Sequence, residues 1–244
     1  MSRMITQSTL TVGGVDLKTP PLPAPPRVTV GTRPSRLTVA CVWWGTLYGV
    51  EYVEKLRDAV ARNLTIPYDF VCITPHQNVP DGVIRMSPRV SGKGWWQKVG
   101  LFSPDLFGVS QRVLYLDLDL VVINSLDEIA SSQEEFCMIE NFGPNKGHAA
   151  HNSSCMLWTP SEKTYRIHDC FTNDVMSALH GDQCWIWRVM LNDITDFHQY
   201  QCVSYKYEKQ SAQWRHRNEN TACVVFHGKP KPHEVRDSYV VENW

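Results

Sequence analysis

Arg112-Val113-Leu114-Tyr115-Leu116-Asp117-Leu118-Asp119-Leu120-Val121-Val122-Ile123 sets two carboxylates inside a run that is otherwise almost wholly apolar and rich in strand-forming residues. Such a run predicts a strand buried on both faces, as in the centre of an α/β sheet. In extended backbone, residues two apart point the same way, so Asp117 and Asp119 are expected to face one side. Burying two like charges together costs several kcal/mol unless a cation lies between them. A divalent metal, held by oxygen ligands where the strand leaves the sheet, meets that need. The simpler reading is a pair of acids capping a strand end, but the long apolar flanks favour the metal.

Upstream, Leu37 to Trp43 reads as a first buried strand and runs into the turn Trp44-Gly45-Thr46-Leu47-Tyr48-Gly49. Tyr52, Val53, Leu56, Val60 and Leu64 then fall at helical spacing, and Pro67 closes that helix. Tyr68 to Thr74 supplies a second strand. This β-α-β unit predicts a parallel sheet with a right-handed crossover. Such sheets bind ligands outside the carboxyl ends of their strands, where the two glycines of the turn allow close backbone approach to a nucleotide. After a short strand at Val83–Met86 comes S-G-K-G-W-W-Q-K-V-G-L-F, where Trp95, Val99 and Phe102 begin a helical apolar pattern. Lys93 and Lys98 read either as a cation pair for a diphosphate or as solvated lysines on an amphipathic helix.

Downstream, Ser125 to Ile129 has an N-cap and an acidic first turn, so a helix is expected. Phe136–Ile139 and Cys155–Trp158 read as strands, separated by the glycine-rich Glu140–His148 loop and the polar loop His151-Asn152-Ser153-Ser154. Helices are predicted over Glu162–Phe171 and Gln183–Leu191, the second opening with His180-Gly181-Asp182-Gln183. Tyr205–Lys209 and Gln213–Arg217 form a basic, aromatic patch. It reads first as a solvated surface loop and second as a surface for an acceptor or a nucleic-acid strand. The strand Ala222–Phe226 ends in His227-Gly228-Lys229-Pro230-Lys231-Pro232, which brings an imidazole and two lysines to a strand end.

With 244 residues the chain is long enough for one α/β domain with a sizeable core. Its net charge of −1 excludes a bulk field that recruits nucleic acid or anionic membrane. The eight cysteines are scattered without a C-x-x-C pair, which argues for a reducing compartment and against a zinc site or a disulfide framework. The N-terminus lacks a signal-peptide pattern, and no apolar run reaches membrane-spanning length, so a cytoplasmic location without a membrane span is expected. The sequons at Asn63 and Asn152 then have no role. Residues 1–36, with the Pro-rich Thr19–Arg27, are read as an N-terminal arm, and residues 37–244 as the domain.

The order of these parts resembles the metal-dependent glycosyltransferases of the GT-A fold, from Leu37 to about Pro232. The likeness is strongest to the glycogenin-like and lipopolysaccharide galactosyltransferase-like families and their bacterial and phage relatives. The resemblance implies a single GT-A, Rossmann-like α/β domain with a mostly parallel central sheet flanked by helices. By it, Asp117 and Asp119 match the D-x-D motif that holds Mn²⁺ or Mg²⁺, with His227 as third ligand and Asp117 also near the ribose. Gly228, Lys229 and Lys231 match the G-x-x-K-P diphosphate segment, Lys231 being the leading lysine. Asp182 and Gln183 match the D-Q pair beside the anomeric carbon. Lys98 matches the basic residue that closes over the phosphates, and Trp43 and Gly45 lie where base and ribose are cradled. His227 stands immediately before Gly228 rather than three residues ahead of it, and His233 replaces the usual tryptophan.

The resemblance thus implies transfer of a sugar from a nucleotide sugar, UDP-linked, to an acceptor hydroxyl with retention. A saccharide, a protein, a small molecule and a modified nucleic-acid base all stay in play as acceptor. For an inverting reaction, Asp182 and Glu140 are the candidate bases. The alternatives are a nucleotidyltransferase, whose phosphate loop is not matched by Gly31–Arg36 lying ahead of the first strand, and a non-catalytic carbohydrate-binding protein.

Overall fold

The computed structural model describes residues 10–12, 15–17, 36–92, 94–142, 149–210 and 215–244. Leu10–Val12 (β1) and Val15–Leu17 (β2) pair antiparallel as a ribbon of their own. The Pro-rich stretch Thr19–Arg27, Lys93, most of the glycine-rich loop after Glu140, and Gln213 and Trp214 lie outside the described residues.

Arg36–Val42 (β3) leads through the Trp44–Gly49 turn into Val50–Asn63 (α1). This helix buries Tyr52, Val53, Leu56, Ala59 and Val60, with Glu51 in its first turn and Arg62 in its last, each of the sign that the helix dipole favours. Tyr68–Ile73 (β4) and Ile84–Met86 (β5) follow, then a 3₁₀ helix at Gly94–Phe102 and Gln111–Leu116 (β6). Leu120–Val122 (β7), Asp127–Ser131 (α2), Phe136–Glu140 (β8) and His151–Trp158 (β9) come next. After them lie Glu162–Asp169 (α3), Asn173–Ala178 (α4), Asp182–Met190 (α5), Thr195–Asp196 (β10) and Cys202–Ser204 (β11). Tyr205–Gln210 (α6), Cys223–Val225 (β12) and Ser238–Asn243 (α7) complete the order.

The main sheet has seven strands in the order β10-β8-β9-β6-β3-β4-β5. β3 pairs parallel with β4 and β6, β4 with β5 and β10 with β8, whereas β9 runs antiparallel to β6 and β8. The mostly parallel sheet expected from the sequence is present. Alternation along its central strands supplies both halves of the core. Val39, Cys41, Leu114 and Leu116 join the face under α1, and Ala40, Val113 and Tyr115 join the face under the 3₁₀ helix, α3 and α5. That two-sided burial is why these strands read as continuous apolar runs.

The Arg112–Ile123 run is not one strand. β6 ends at Leu116, Leu120 N–H donates to Asp117 C=O at 3.2 Å in a tight turn, and β7 then joins a second sheet ordered β11-β12-β7. Both halves look alike in sequence because both are buried, so apolar pattern alone does not show the break. Three further expectations are corrected. His151–Ser154 is not a loop but the start of β9, Asn152 to Ser154 being buried polar residues. Trp95 is not on the buried face of its helix; Trp96, Val99 and Phe102 are. Tyr205–Lys209 is helical, and two of its charges are paired: Lys209 with Asp237, and Glu208 with Arg217. All eight cysteines are free, and no helix among the described residues is long and apolar enough to cross a membrane.

Leu114 sits fully buried between Val39 of β3 and Leu157 of β9. Leu114→Ala is expected to lower unfolding free energy by roughly 2–5 kcal/mol in urea titrations, since the sheet on both sides limits collapse of the cavity. A loss below about 1 kcal/mol would contradict this placement.

Candidate active site

A cavity of about 550 Å³ opens where β3 and β6 end, the place that open α/β sheets reserve for ligands. Six segments build it. The loop after β3 brings Trp44, Gly45 and Tyr48, and Gly45 has φ +69°, a conformation that side-chain-bearing residues rarely adopt. The 3₁₀ helix brings Lys98, the turn after β6 brings Asp117 and Asp119, and β9 brings Asn152 to Ser154. The start of α5 brings Asp182 and Gln183, and the segment after β12 brings His227, Gly228 and Lys231.

Two lysines hold the acids. Lys98, only 8 % exposed, places Nζ 2.9 Å from Asp117 Oδ1, 3.1 Å from Ser153 Oγ and 3.6 Å from Asp182 Oδ2. Ser153 donates its hydroxyl to Asp182 Oδ2 at 2.6 Å, and Tyr115 donates to Asp117 Oδ1 at 2.6 Å. Lys231 Nζ lies 2.5 Å from Asp119 Oδ2, which also accepts from the Tyr48 hydroxyl at 2.9 Å. Burial acts against the Lys98 ammonium, but Asp117 and Asp182 outweigh it and hold the group above its ordinary value, so it stays charged. Asp182 is raised by burial, with Lys98 and Ser153 opposing. Asp119 is raised by burial and then by the Asp117 carboxylate, with Lys231 opposing. Burial, followed by Lys206 and Lys231, pushes His227 down to about 4, which keeps its imidazole neutral.

Nine of the eleven residues singled out in the sequence line this one cavity: Gly45, Lys98, Asp117, Asp119, Asp182, Gln183, His227, Gly228 and Lys231. Trp43 does not. It points into the core, 7 % exposed, with its ring 4.1 Å from that of His76, and its neighbour Trp44 takes the cavity wall. Adjacent residues in extended backbone face opposite ways, which is why the two were exchanged. Lys229 is also absent from the wall, exposed and paired with Glu234. Glu140 is not on the wall either and pairs with Arg215. Tyr48, Tyr115 and Ser153 were missed as partners of the acids. Tyr115 alone carried a signal, since it stands two residues before Asp117 in the strand that leads to it.

Asp117 and Asp119 offer carboxylate oxygens, and their mutual repulsion is relieved by a cation between them, which suits Mg²⁺ or Mn²⁺. The expected three-ligand set of Asp117, Asp119 and His227 is not gathered: no cluster of three such side chains occurs among the described residues. His227 Nε2 lies 2.6 Å from Ser204 Oγ, which leaves Nδ1 as its available nitrogen while that bond holds. The two carboxylates therefore fit a hard divalent ion.

No protein-family profile matches this chain, and no curated protein sequence matches it. Solved structures do. The galactosyltransferase LgtC, as an active-site mutant, aligns with a TM-score of 0.58 at 14% identity over 80% of this chain and 89% of that one. LgtC has also been solved with donor and acceptor sugar analogues. WbbM, a bifunctional glycosyltransferase, aligns at 0.59 and 11% identity, over 84% of this chain and 48% of its own. GlyE, a glycosyltransferase of Streptococcus pneumoniae TIGR4, aligns at 0.56 and 12% identity, over 82% and 56%. This chain thus spans about half the length of the last two. It has the GT-A fold that these glycosyltransferases share.

The raised Asp119 generates a stability prediction. A carboxyl raised in the folded state contributes stability that is full below its ordinary value of 3.8 and is lost as pH rises through the raised value. Near neutral pH the ionised group therefore opposes folding. Asp119→Asn is expected to raise the melting temperature of metal-free protein at pH 7, with the gain shrinking toward pH 4. His227 acts in the opposite sense, its contribution being lost as pH falls from 6.5 to about 4, and it cancels between the two proteins. Equal melting curves in EDTA across this range would refute the reading.

Proposed function

We propose that this chain is a glycosyltransferase that moves a sugar from a UDP-sugar to a hydroxyl of a saccharide acceptor, with a divalent metal and with retention. The observation that carries the reading is the pairing of Lys98 with Asp117 and of Lys231 with Asp119 on one cavity wall of a glycosyltransferase fold. It supports a site for a diphosphate, whose oxygens take the place of those carboxylates as partners of the two ammonium groups. Asp117 and Asp119 would hold a divalent ion, which would supply positive charge to the leaving group. Gly45 and Trp44 provide an open backbone and an aromatic wall for the nucleoside.

In the reaction the bond between the anomeric carbon and the diphosphate oxygen breaks, and its electron pair leaves with the diphosphate. The acceptor oxygen bonds to the anomeric carbon, and its proton passes to the departing phosphate oxygen. Lys98 and Lys231 stabilise the charge that develops there, the contribution that usually dominates catalysis. Asp182, tied to Ser153 and within 3.6 Å of Lys98, stands where it can orient the donor sugar. Retention is supported by the lack of a free base among the two candidates: Asp182 is held by these partners, and Glu140 is off the wall.

Purified protein with Mn²⁺ or Mg²⁺ and a panel of UDP- and GDP-sugars is expected to release nucleotide slowly from one UDP-sugar. Asp119→Ala should lower that release by about 100-fold or more with the fold kept. Lys231→Ala is expected to weaken UDP binding about tenfold, as measured by calorimetry. Silence across the panel, with no thermal shift from UDP and metal, would instead favour a carbohydrate-binding protein without turnover.

A further inference from the structure

Trp95 is 56 % exposed, although it lines the cavity and every residue after it in the 3₁₀ helix, from Trp96 to Phe102, is buried. An indole left in water beside a site gains free energy when a ligand covers it. Its position is fixed from one side by Gly181. A methyl carbon added there would lie 3.0 Å from indole Nε1, 3.3 Å from Cδ1 and 3.6 Å from Cε2, so the ring rests directly on backbone at the entry to α5. The next residue is Asp182. Lys98, three residues beyond Trp95 on the same 3₁₀ helix, approaches both Asp182 and Asp117. The indole is thus tied through two elements to the reacting centre, yet belongs to the part of the wall still open to solvent.

Leu47, 74 % exposed, adds apolar surface to the same wall. A charged polymer as the covering ligand needs free cations to meet its phosphates. Three of the described basic residues of the Tyr205–Arg217 patch are instead committed, Lys209 to Asp237, Arg217 to Glu208 and Arg215 to Glu140, and only Lys206 among its lysines and arginines has no carboxylate partner. A neutral ring with an apolar C–H face and hydroxyls on its rim fits this surface. We propose that Trp95 is the acceptor platform: a pyranose of a neutral saccharide stacks on its indole and turns a hydroxyl toward Asp182. The proposal rests on the glycosyltransferase reading and names the residue that selects the acceptor.

The test is saturation-transfer NMR on protein loaded with UDP and Mg²⁺, using methyl β-D-galactopyranoside, methyl α-D-glucopyranoside and lactose as probes. At least one probe is expected to bind the wild type, about tenfold more weakly to Trp95→Ala, and within about threefold of wild type to Trp95→Phe, which keeps an aromatic face. Equal binding to wild type and Trp95→Ala overturns the proposal, as does the lack of binding by all three probes to UDP-loaded wild type. Melting shifts with UDP and Mg²⁺ are read in parallel. If Trp95→Ala loses the UDP shift as well, Trp95 belongs to the donor site and the acceptor assignment fails. If the wild type shows no UDP shift, it is the donor reading that fails, and this proposal with it.

Discussion

A lysine buried to 8 % exposure among two carboxylates and a serine is the constraint on which the rest of this molecule turns. Lys98 can be buried charged only because Asp117 and Asp182 meet it, and those acids can be buried only because it meets them. Removing any one member leaves an uncompensated charge in a low-dielectric wall. The three groups come from the 3₁₀ helix, the end of β6 and the start of α5, so their mutual need pins three elements together at one point. The hydroxyls of Ser153 and Tyr115 complete the acceptors' hydrogen bonding and orient the carboxylates. At the opposite side of the acid turn, Lys231 and Tyr48 meet Asp119.

Such an arrangement has a cost in stability that makes sense only if something binds. Asp119 and Asp182 are both raised by burial from their ordinary value, which means that their ionised forms are less comfortable here than in an unfolded chain. A cation or a phosphate that enters changes the partners without changing the wall, since lysines and acids already face each other across it. Preorganised charge of this kind is what electrostatic catalysis requires: no reorganisation is left for the moment of reaction.

How much of this was legible beforehand depends on what each residue had to advertise. The β-α-β start was plain because helical and strand periodicities differ, and the acids were plain because charge inside an apolar run is anomalous. Lys98, Asp182 and Lys231 were reached through their order along the chain. The change of sheet at Asp117 was hidden, since Arg112–Leu116 of β6 and the whole of β7 are buried and both are mainly apolar. Asn152 to Ser154 looked like loop because polar residues usually are. In the fold they are strand residues that face a polar wall. Trp43 and Trp44 were inverted because nothing in two adjacent tryptophans says which one faces the sheet.

The second sheet has a consequence for how this protein tolerates change. β7 and β12 pair antiparallel with Leu120 opposite Val225, so Asp119 and Phe226 are the next residues outward at one end of the same ladder. Asp119 and Lys231 are 112 positions apart in the chain, yet that ladder sets them together. The polypeptide between β7 and β12 is therefore an excursion anchored at both ends. Loops along it that do not reach the cavity can lengthen, shorten or be exchanged, and the spacing of acid and lysine stays as the ladder sets it.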